Sequence, residues 1–441
     1  MSFLLAWLLN AIYLAVLVVA SPWILWTALR SGKYREGFGE KFLGLVPRRA
    51  GGRPCVWLHA VSVGEVNLLE ATLTEIVRRH ADWELVISTT TKSGYDLARR
   101  KYADHTVFYC PLDFTWAVRA ALLRIRPNLL VLAELELWPN LIRAAQLNGV
   151  SIAIINGRLS DNSFRGYRRL RPLVRRVLRQ IDVIAAQNEE TAERFRQLGA
   201  TPTAVATTGS LKFDGAKTNR DNTHTSELRK LVGFSSDDVV LLAGSTQDPE
   251  EAYALDIYRR VVTEYPQLRL VLVPRHPERF DHVAAMLDQS GVPYVRRSKL
   301  NLSTNSNLNS EIVLVDTIGE LGAWWGLTNI GFVGGSFGSR GGQNMLEPAA
   351  YGVATCFGPN TWNFRDIVSQ LLAAEGAVVV RDPDQLERFV RRALDDPKWA
   401  QDLGQRAQRL VLSGKGAAAR TVDLLEPLVG NSVSDDSRHA A

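Results

Sequence analysis

From Cys55 to Val380 short apolar runs alternate with stretches of helical spacing, and this rhythm leaves few folds open. Cys55–His59, Glu84–Thr89, Thr106–Tyr109, Leu129–Ala133, Ser151–Ile155 and Asp182–Ala186 have the length and apolar content of strands. Between them Glu65–His80, Tyr95–Tyr102, Phe114–Ile125, Trp138–Leu147, a basic stretch ending near Arg179 and Glu189–Leu198 have helical spacing. Polar, unpatterned residues Asp214–Thr225 interrupt the rhythm. It resumes with strands at Val239–Ala243, Leu268–Val273, Glu311–Val315, Asn329–Val333, Val353–Phe357 and Ala377–Val380. Strands apolar along their whole length, each followed by an amphipathic helix, imply parallel sheets covered on both faces. The chain is therefore expected to be α/β, with two doubly wound, Rossmann-like domains whose strand ends face a shared cleft, where ligands bind. The expected divisions are an anchor at 1–30, a first domain at 31–213, a linker at 214–226, a second domain at 227–430 and a disordered tail at 431–441.

The 27 residues Phe3–Leu29 contain no charged side chain. At about 1.5 Å per residue this is long enough to cross a bilayer. A cleaved signal would carry Lys or Arg before its apolar core. Here Arg30, Lys33, Arg35, Lys41, Arg48 and Arg49 follow it instead. Cations on that side place the remainder in the cytoplasm, so an uncleaved membrane anchor is expected. The net charge of +6 suits anionic partners, an acidic membrane surface among them. Cys55, Cys110 and Cys356 form no CxxC, so neither a zinc site nor a disulfide framework is indicated. The basic residues lack interleaved aromatics, so no nucleic-acid partner is expected.

Loops after strands carry the polar groups. Ile330–Gly352 runs from a strand through Gly334-Gly335 and Gly341-Gly342 to a helix start. Such a loop suits an anion, although it matches no generic nucleotide motif. Gly244–Gln247, Pro274–Pro277 and Asp316–Glu320 lie at the same sheet edge, with Arg275 as a counter-charge for phosphate. Asp248 with Glu251, Thr317 with Glu320, and Asn344 with Glu347 have capping-box spacing, and Asn301–Asn309 is a polar loop. In the first domain Glu65 opens a helix, where it serves the helix dipole or acts as a base. Glu134 and Glu136 follow the fourth strand; Arg158 and Lys212 follow later ones. Arg165–Arg179 holds seven arginines with Leu170, Val174 and Leu178 at fourfold spacing, either a solvated helix face or a surface for anionic lipid or a phosphorylated acceptor.

The segments HAVSVGEV, AELELWPNLI, NGRLS, GSLKFD, AGSTQDPEE, VPRHPERF, DTIGEL and FVGGSF…GGQNMLEPAAYG span His59 to Gly352. In this order they resemble the family of 3-deoxy-D-manno-octulosonic acid (Kdo) transferases, membrane-anchored glycosyltransferases of lipopolysaccharide assembly. The resemblance implies a GT-B fold, with an acceptor domain followed by a donor domain. It implies inverting transfer of Kdo from CMP-Kdo to a lipid A precursor, with no cofactor and no metal. It places Glu65 as the general base, with Glu136 and Lys212 lining the active site. It places Arg275 on the CMP moiety, Gly334, Gly335 and Ser336 at the donor phosphate, and Glu347 on the ribose. Asn344, in the same loop, joins this donor-binding set. Gln343 and Gln247 stand where the family commonly has histidine, and Leu135 where it has threonine. Glutamine hydrogen-bonds but does not titrate. Two other functions fit the residues: a membrane-associated GT-B enzyme using a UDP-sugar, and a non-catalytic nucleotide-binding membrane protein.

Overall fold

The structure, a computed structural model, describes residues 3–31, 35–300 and 311–431. Lys33, the Asn301–Asn309 loop and the tail beyond residue 431 lie outside the described residues. The chain divides into two compact units, Met1–Gly215 with Gly414–Ala441, and Ala216–Ser413.

The first unit begins with α1 (Phe3–Ser31) and α2 (Phe38–Leu43). It continues β1 (Cys55–His59), α3 (Val63–Arg79), β2 (Glu84–Thr89), α4 (Lys92–Lys101), β3 (Thr106–Tyr109), α5 (Thr115–Ile125), β4 (Leu129–Ala133) and α6 (Pro139–Leu147). Then come β5 (Ser151–Gly157), α7 (Asp161–Arg169), α8 (Arg171–Leu178), β6 (Val183–Ala186), α9 (Glu189–Leu198) and β7 (Val205–Thr207). The strands form one sheet in the order β3-β2-β1-β4-β5-β6-β7, and every pairing is parallel. Cys55 and Trp57 point into one core layer, Val56 and Leu58 into the other. That alternation on a fully buried strand explains its unbroken apolar sequence. Helices α5, α6, α8 and α9 cover the first layer; α3 and α4 cover the second.

The second unit holds α10 (Thr223–Val232), β8 (Val239–Thr246), α11 (Glu250–Val261), β9 (Leu268–Pro274), α12 (Phe280–Ser290), β10 (Tyr294–Arg296), β11 (Ile312–Leu314), α13 (Leu321–Leu327) and β12 (Ile330–Val333). It ends with α14 (Leu346–Ala350), β13 (Ala354–Phe357), α15 (Arg365–Ala373), β14 (Ala377–Val379), α16 (Pro383–Asp395) and α17 (Pro397–Gly414). Its sheet, also wholly parallel, has the order β10-β11-β9-β8-β12-β13-β14.

Three expectations need correction. A second domain running to residue 430 does not match the packing. Helix α18 (Ala417–Asn431) belongs with the first unit, where Val422, Leu425 and Val429 bury against α3 and the sheet. Each such side chain contributes about 1.5–3 kcal/mol. The linker is also shorter than expected, because Asn222 caps α10 by accepting the Thr225 N–H. Finally, the basic stretch forms two helices, broken at Leu170. The Pro172 ring prevents a helix from continuing into it from the preceding turn. The buried stripe is then Val174, Val177 and Leu178, leaving Leu170 57% exposed.

Helix α1 leaves most of its apolar surface uncovered, with Val19 81% and Leu29 78% exposed. Its beginning is held differently. The Asn10 amide donates to Thr115 Oγ1 at 2.7 Å and its carbonyl oxygen accepts the Thr115 N–H at 3.1 Å. Asn140 donates to the same Asn10 oxygen. A polar residue in the apolar run, Asn10, therefore ties the helix to α5 and α6.

Candidate active site

In a doubly wound sheet, ligands bind where the chain switches from building one side to building the other, beyond the carboxyl ends of the strands. In the first unit that point lies between β1 and β4. Glu65 comes from the first turn of α3, just after β1, and Glu134 and Glu136 from the loop after β4. Ser62 caps α3, and the Glu65 carboxylate turns back over the cap. It accepts the Val61 N–H at 2.8 Å and the Ser62 hydroxyl at 3.0 Å. This is a capping-box arrangement in a half-buried setting. Burial raises the Glu65 pKa, the Val61 and Ser62 hydrogen bonds oppose it, and the Glu134 charge adds to the rise. Glu136 accepts the Trp138 indole N–H at 3.0 Å. Burial, then the charges of Glu65 and Glu134, push it up to about 7. Three carboxylates therefore share one region, and Glu136 is held partly protonated at neutral pH. Glu134 sits at φ +55°, a left-handed backbone that a side chain makes costly by about 1–2 kcal/mol.

Lys212 is exposed and forms no ion pair among the described residues. Its loop is pinned where Asn156 Oδ1 accepts the Leu211 N–H at 3.0 Å. His59, at the end of β1, is fully buried against Trp138, and burial lowers its pKa to about 4, so it is neutral.

In the second unit the switch point lies between β8 and β12. The glycine loop after β12 approaches the loop after β8 closely. A Cβ on Gly334 would come within 2.6 Å of the Thr246 Cα, and Gly335 sits at φ +65°. The expected open backbone donors are not open. Glu250 Oε2 accepts the N–H of Gly335 at 2.7 Å and of Gln247 at 2.9 Å. Its Oε1 accepts those of Ser336 at 3.0 Å and Phe337 at 3.1 Å. The Gly334 N–H donates to Gly244, and the Ser336 hydroxyl donates to Val333 while accepting the Gly358 N–H. One buried carboxylate thus fastens the two switch-point loops together. The acidic run Asp248-Pro249-Glu250-Glu251 is visible in the sequence, but the capping-box spacing pointed to Glu251. That residue instead pairs with Arg279 at 2.9 Å, and Asp248 caps nothing; α11 starts after Pro249.

Beside the clamp is a cavity of about 340 Å³ whose lining includes Gln247, His276, Arg279, Gly335 and Arg340. Arg340 is exposed and has no ion pair among the described residues; the sequence reading missed it. The Gln343 and Gln247 amide nitrogens both lie against Gly335, 3.1 and 3.6 Å from where a Cβ would stand. The two glutamines in family histidine positions are therefore neighbours. Arg275, Asn344 and Glu347 form a separate group that does not line the cavity. Asn344 donates its side-chain amide to Glu347 Oε1 at 2.9 Å, so Glu347 does not close a capping box on the Asn344 N–H. Burial raises the Glu347 pKa, while the Asn344 bond and the Arg275 charge oppose it. Thr317 likewise bonds Glu320 side chain to side chain at 2.8 Å, ahead of α13 and without capping it. Among the described residues no three His, Cys, Asp or Glu side chains are grouped to hold a metal.

The chain is similar to known proteins. A family profile described as 3-deoxy-D-manno-octulosonic-acid transferase (kdotransferase) matches residues 35–215. The chain is 31% identical to the 3-deoxy-D-manno-octulosonic acid transferase of Haemophilus influenzae, over 96% of this chain and 99% of that one. It is 32% identical to the Bordetella pertussis protein of the same name, over 92% and 96%. Among solved structures, UDP-GlcNAc 2-epimerase from Neisseria meningitidis superposes with a TM-score of 0.58 over 85% of this chain and all of that one. At 12% identity this is a likeness of fold.

Proposed function

The chain belongs to the 3-deoxy-D-manno-octulosonic acid transferase family and is a GT-B-like glycosyltransferase; from that premise we propose that it moves Kdo from CMP-Kdo onto a lipid A precursor, with inversion at the anomeric carbon. Glu65 carries the reading. It stands at the first unit's switch point, with its carboxylate oriented by the Val61 N–H and the Ser62 hydroxyl. A carboxylate with a raised pKa is a better proton acceptor once ionised. It takes the proton of the acceptor hydroxyl, whose oxygen forms the new bond to the anomeric carbon. The bond from that carbon to the CMP phosphate oxygen breaks on the opposite side, and CMP leaves as a phosphate monoester. Glu136 and Lys212 line the acceptor side, where Glu136 near its titration point limits the negative charge beside Glu65.

The second unit receives the donor. Because Glu250 occupies the N–H groups of Gly335, Ser336 and Phe337, the leaving phosphate is assigned to side chains around that loop. Gly334, Gly335 and Ser336 shape the site, and the cation Arg340 lines the cavity beside them. Arg275 supplies a second cation, Asn344 holds Glu347, and the Glu347 carboxylate accepts from the ribose hydroxyls. Positioned cations of this kind stabilise charge as it develops on the leaving group. Helix α1 anchors the enzyme in the inner membrane, with both units on the cytoplasmic side.

The test is incubation of the purified protein with tetra-acylated lipid A precursor and either CMP-Kdo or UDP-sugars, followed by mass spectrometry of the lipid. The expected product gains Kdo from CMP-Kdo alone. Transfer only from a UDP-sugar, or CMP binding without any transfer, refutes the reading.

A further inference from the structure

We propose that α7 and α8, together with the outer sides of α1, α5 and α6, form a face of the first unit that rests on the surface of an acidic phospholipid bilayer. The seven arginines from Arg165 to Arg179 are all exposed. None forms an ion pair with Asp or Glu among the described residues; Arg165 donates to the Asn162 side-chain oxygen and the Asp161 carbonyl, and Arg168 lies over the Phe164 ring. This contrasts with α9, where Arg194 and Arg196 pair with glutamates on their own helix. A solvated helix face gains from such mixed charges. A face of one sign without counter-charges calls for an anion from outside the chain.

Two further observations identify that anion as a lipid surface. Leu170 and Leu173 stand among the arginines at 57% and 45% exposure, so the face is amphipathic rather than only basic. It also lies on the same side of the sheet as the apolar N-terminal helix. Helix α1 packs on α5, α5 on α6, α6 on α8 and α8 on α7. Along that path Trp116, Leu123 and Leu147 are exposed, and with Trp7 they line a groove of about 690 Å³ between α1 and the two helices. The sheet's other side, under α3, α4 and α18, is tied by mixed-charge pairs such as Arg79 with Glu426. Aromatic and aliphatic side chains beside arginines are the composition of a membrane-interface surface.

The assay contains no sugar nucleotide, so its outcome is independent of the transfer reading. The full chain, carrying α1, is allowed to distribute between phosphatidylcholine vesicles and vesicles with one third phosphatidylglycerol, which are separated by density. Each basic residue at such a surface is worth about fivefold in partition. Wild type should favour the acidic vesicles at least tenfold at low salt, and less as salt rises. Replacement of Arg168, Arg169, Arg171 and Arg176 by Gln should remove most of that preference. Replacement by Lys should keep it, as should Gln at Lys230, Arg259, Lys398 and Arg409 of the second unit. In wild type, amide exchange across residues 161–179 should slow on acidic vesicles and not on neutral ones. Equal distribution of wild type, or a full preference kept by the four-Gln protein, overturns the proposal. Protection of 161–179 only after lipid A precursor is added also overturns it, in favour of the acceptor's own phosphates.

Discussion

The Glu65 carboxylate closes the cap of α3 and is also assigned the acceptor's proton. The two roles are compatible, because a carboxylate has more lone pairs than the Val61 and Ser62 donors use. Glu65→Gln keeps an acceptor for the cap but cannot take a proton. Transfer should fall about 10²–10⁴-fold, with the melting temperature little changed; a rate near wild type removes Glu65 as the base. Glu136 makes a prediction in pH. Its folded-state pKa of about 7 lies above the ordinary value of 4.5. Folding therefore takes up a proton between those values. The associated stability is complete below about pH 4.5 and lost as pH rises through 7. Glu136→Gln should be more stable than wild type at pH 8, by about 1 kcal/mol after allowance for partial solvation, and should lose that advantage at pH 4. Urea melts at both pH values check this. Glu250→Gln puts an amide where four N–H groups converge and leaves some of them unpaired. It should cost about 1–3 kcal/mol and raise KM for CMP-Kdo; an unchanged KM would detach the clamp from donor binding.

At the scale of elements, much was legible and the omissions have physical causes. Strands buried on both faces announce themselves as unbroken apolar runs, so β1, β4 and β8 were readable. Strands β7 and β10 have three residues each, too few to show a pattern, and they sit at sheet edges. The break between α7 and α8 turned on Pro172, which the leucine spacing concealed. Glu250 was hidden because three of its four partners are backbone groups nearly ninety residues away, a relation that leaves no mark on local spacing. Arg340 was hidden for a related reason: its importance comes from a cavity, and no cavity exists until the loops are placed. The α1 attachment was visible only as a weakness, Asn10 in an apolar run. Asn10→Leu should raise the apolar character of the helix yet loosen its hold on α5, leaving Asn140 and the Thr115 N–H short of a partner. Faster amide exchange in the first turn of α5, measured in detergent, is the expected sign.

For the whole molecule, the division into units differs from the division of the sequence. Residues 216–413 form a unit from one continuous stretch, whereas the first unit is completed by a helix from the far end of the chain. Expressed alone, 216–413 should fold cooperatively. The piece 1–215 should not reach native stability unless 414–431 is supplied in trans, which calorimetry of the two pieces and their mixture would reveal. If 1–215 melts as sharply alone as with the added helix, α18 is ornamental.

That closing helix also sets a timetable. On the ribosome, the surface of α3 and the sheet meant for Val422, Leu425 and Val429 is synthesised first and waits while the entire second unit is made. At about 5–20 residues per second, the wait is roughly 10–40 s. During it the nascent chain exposes an apolar seam. The last turns translated are the ones that seal it, so a ribosome that stalls late leaves behind a finished second unit tethered to an unfinished first one.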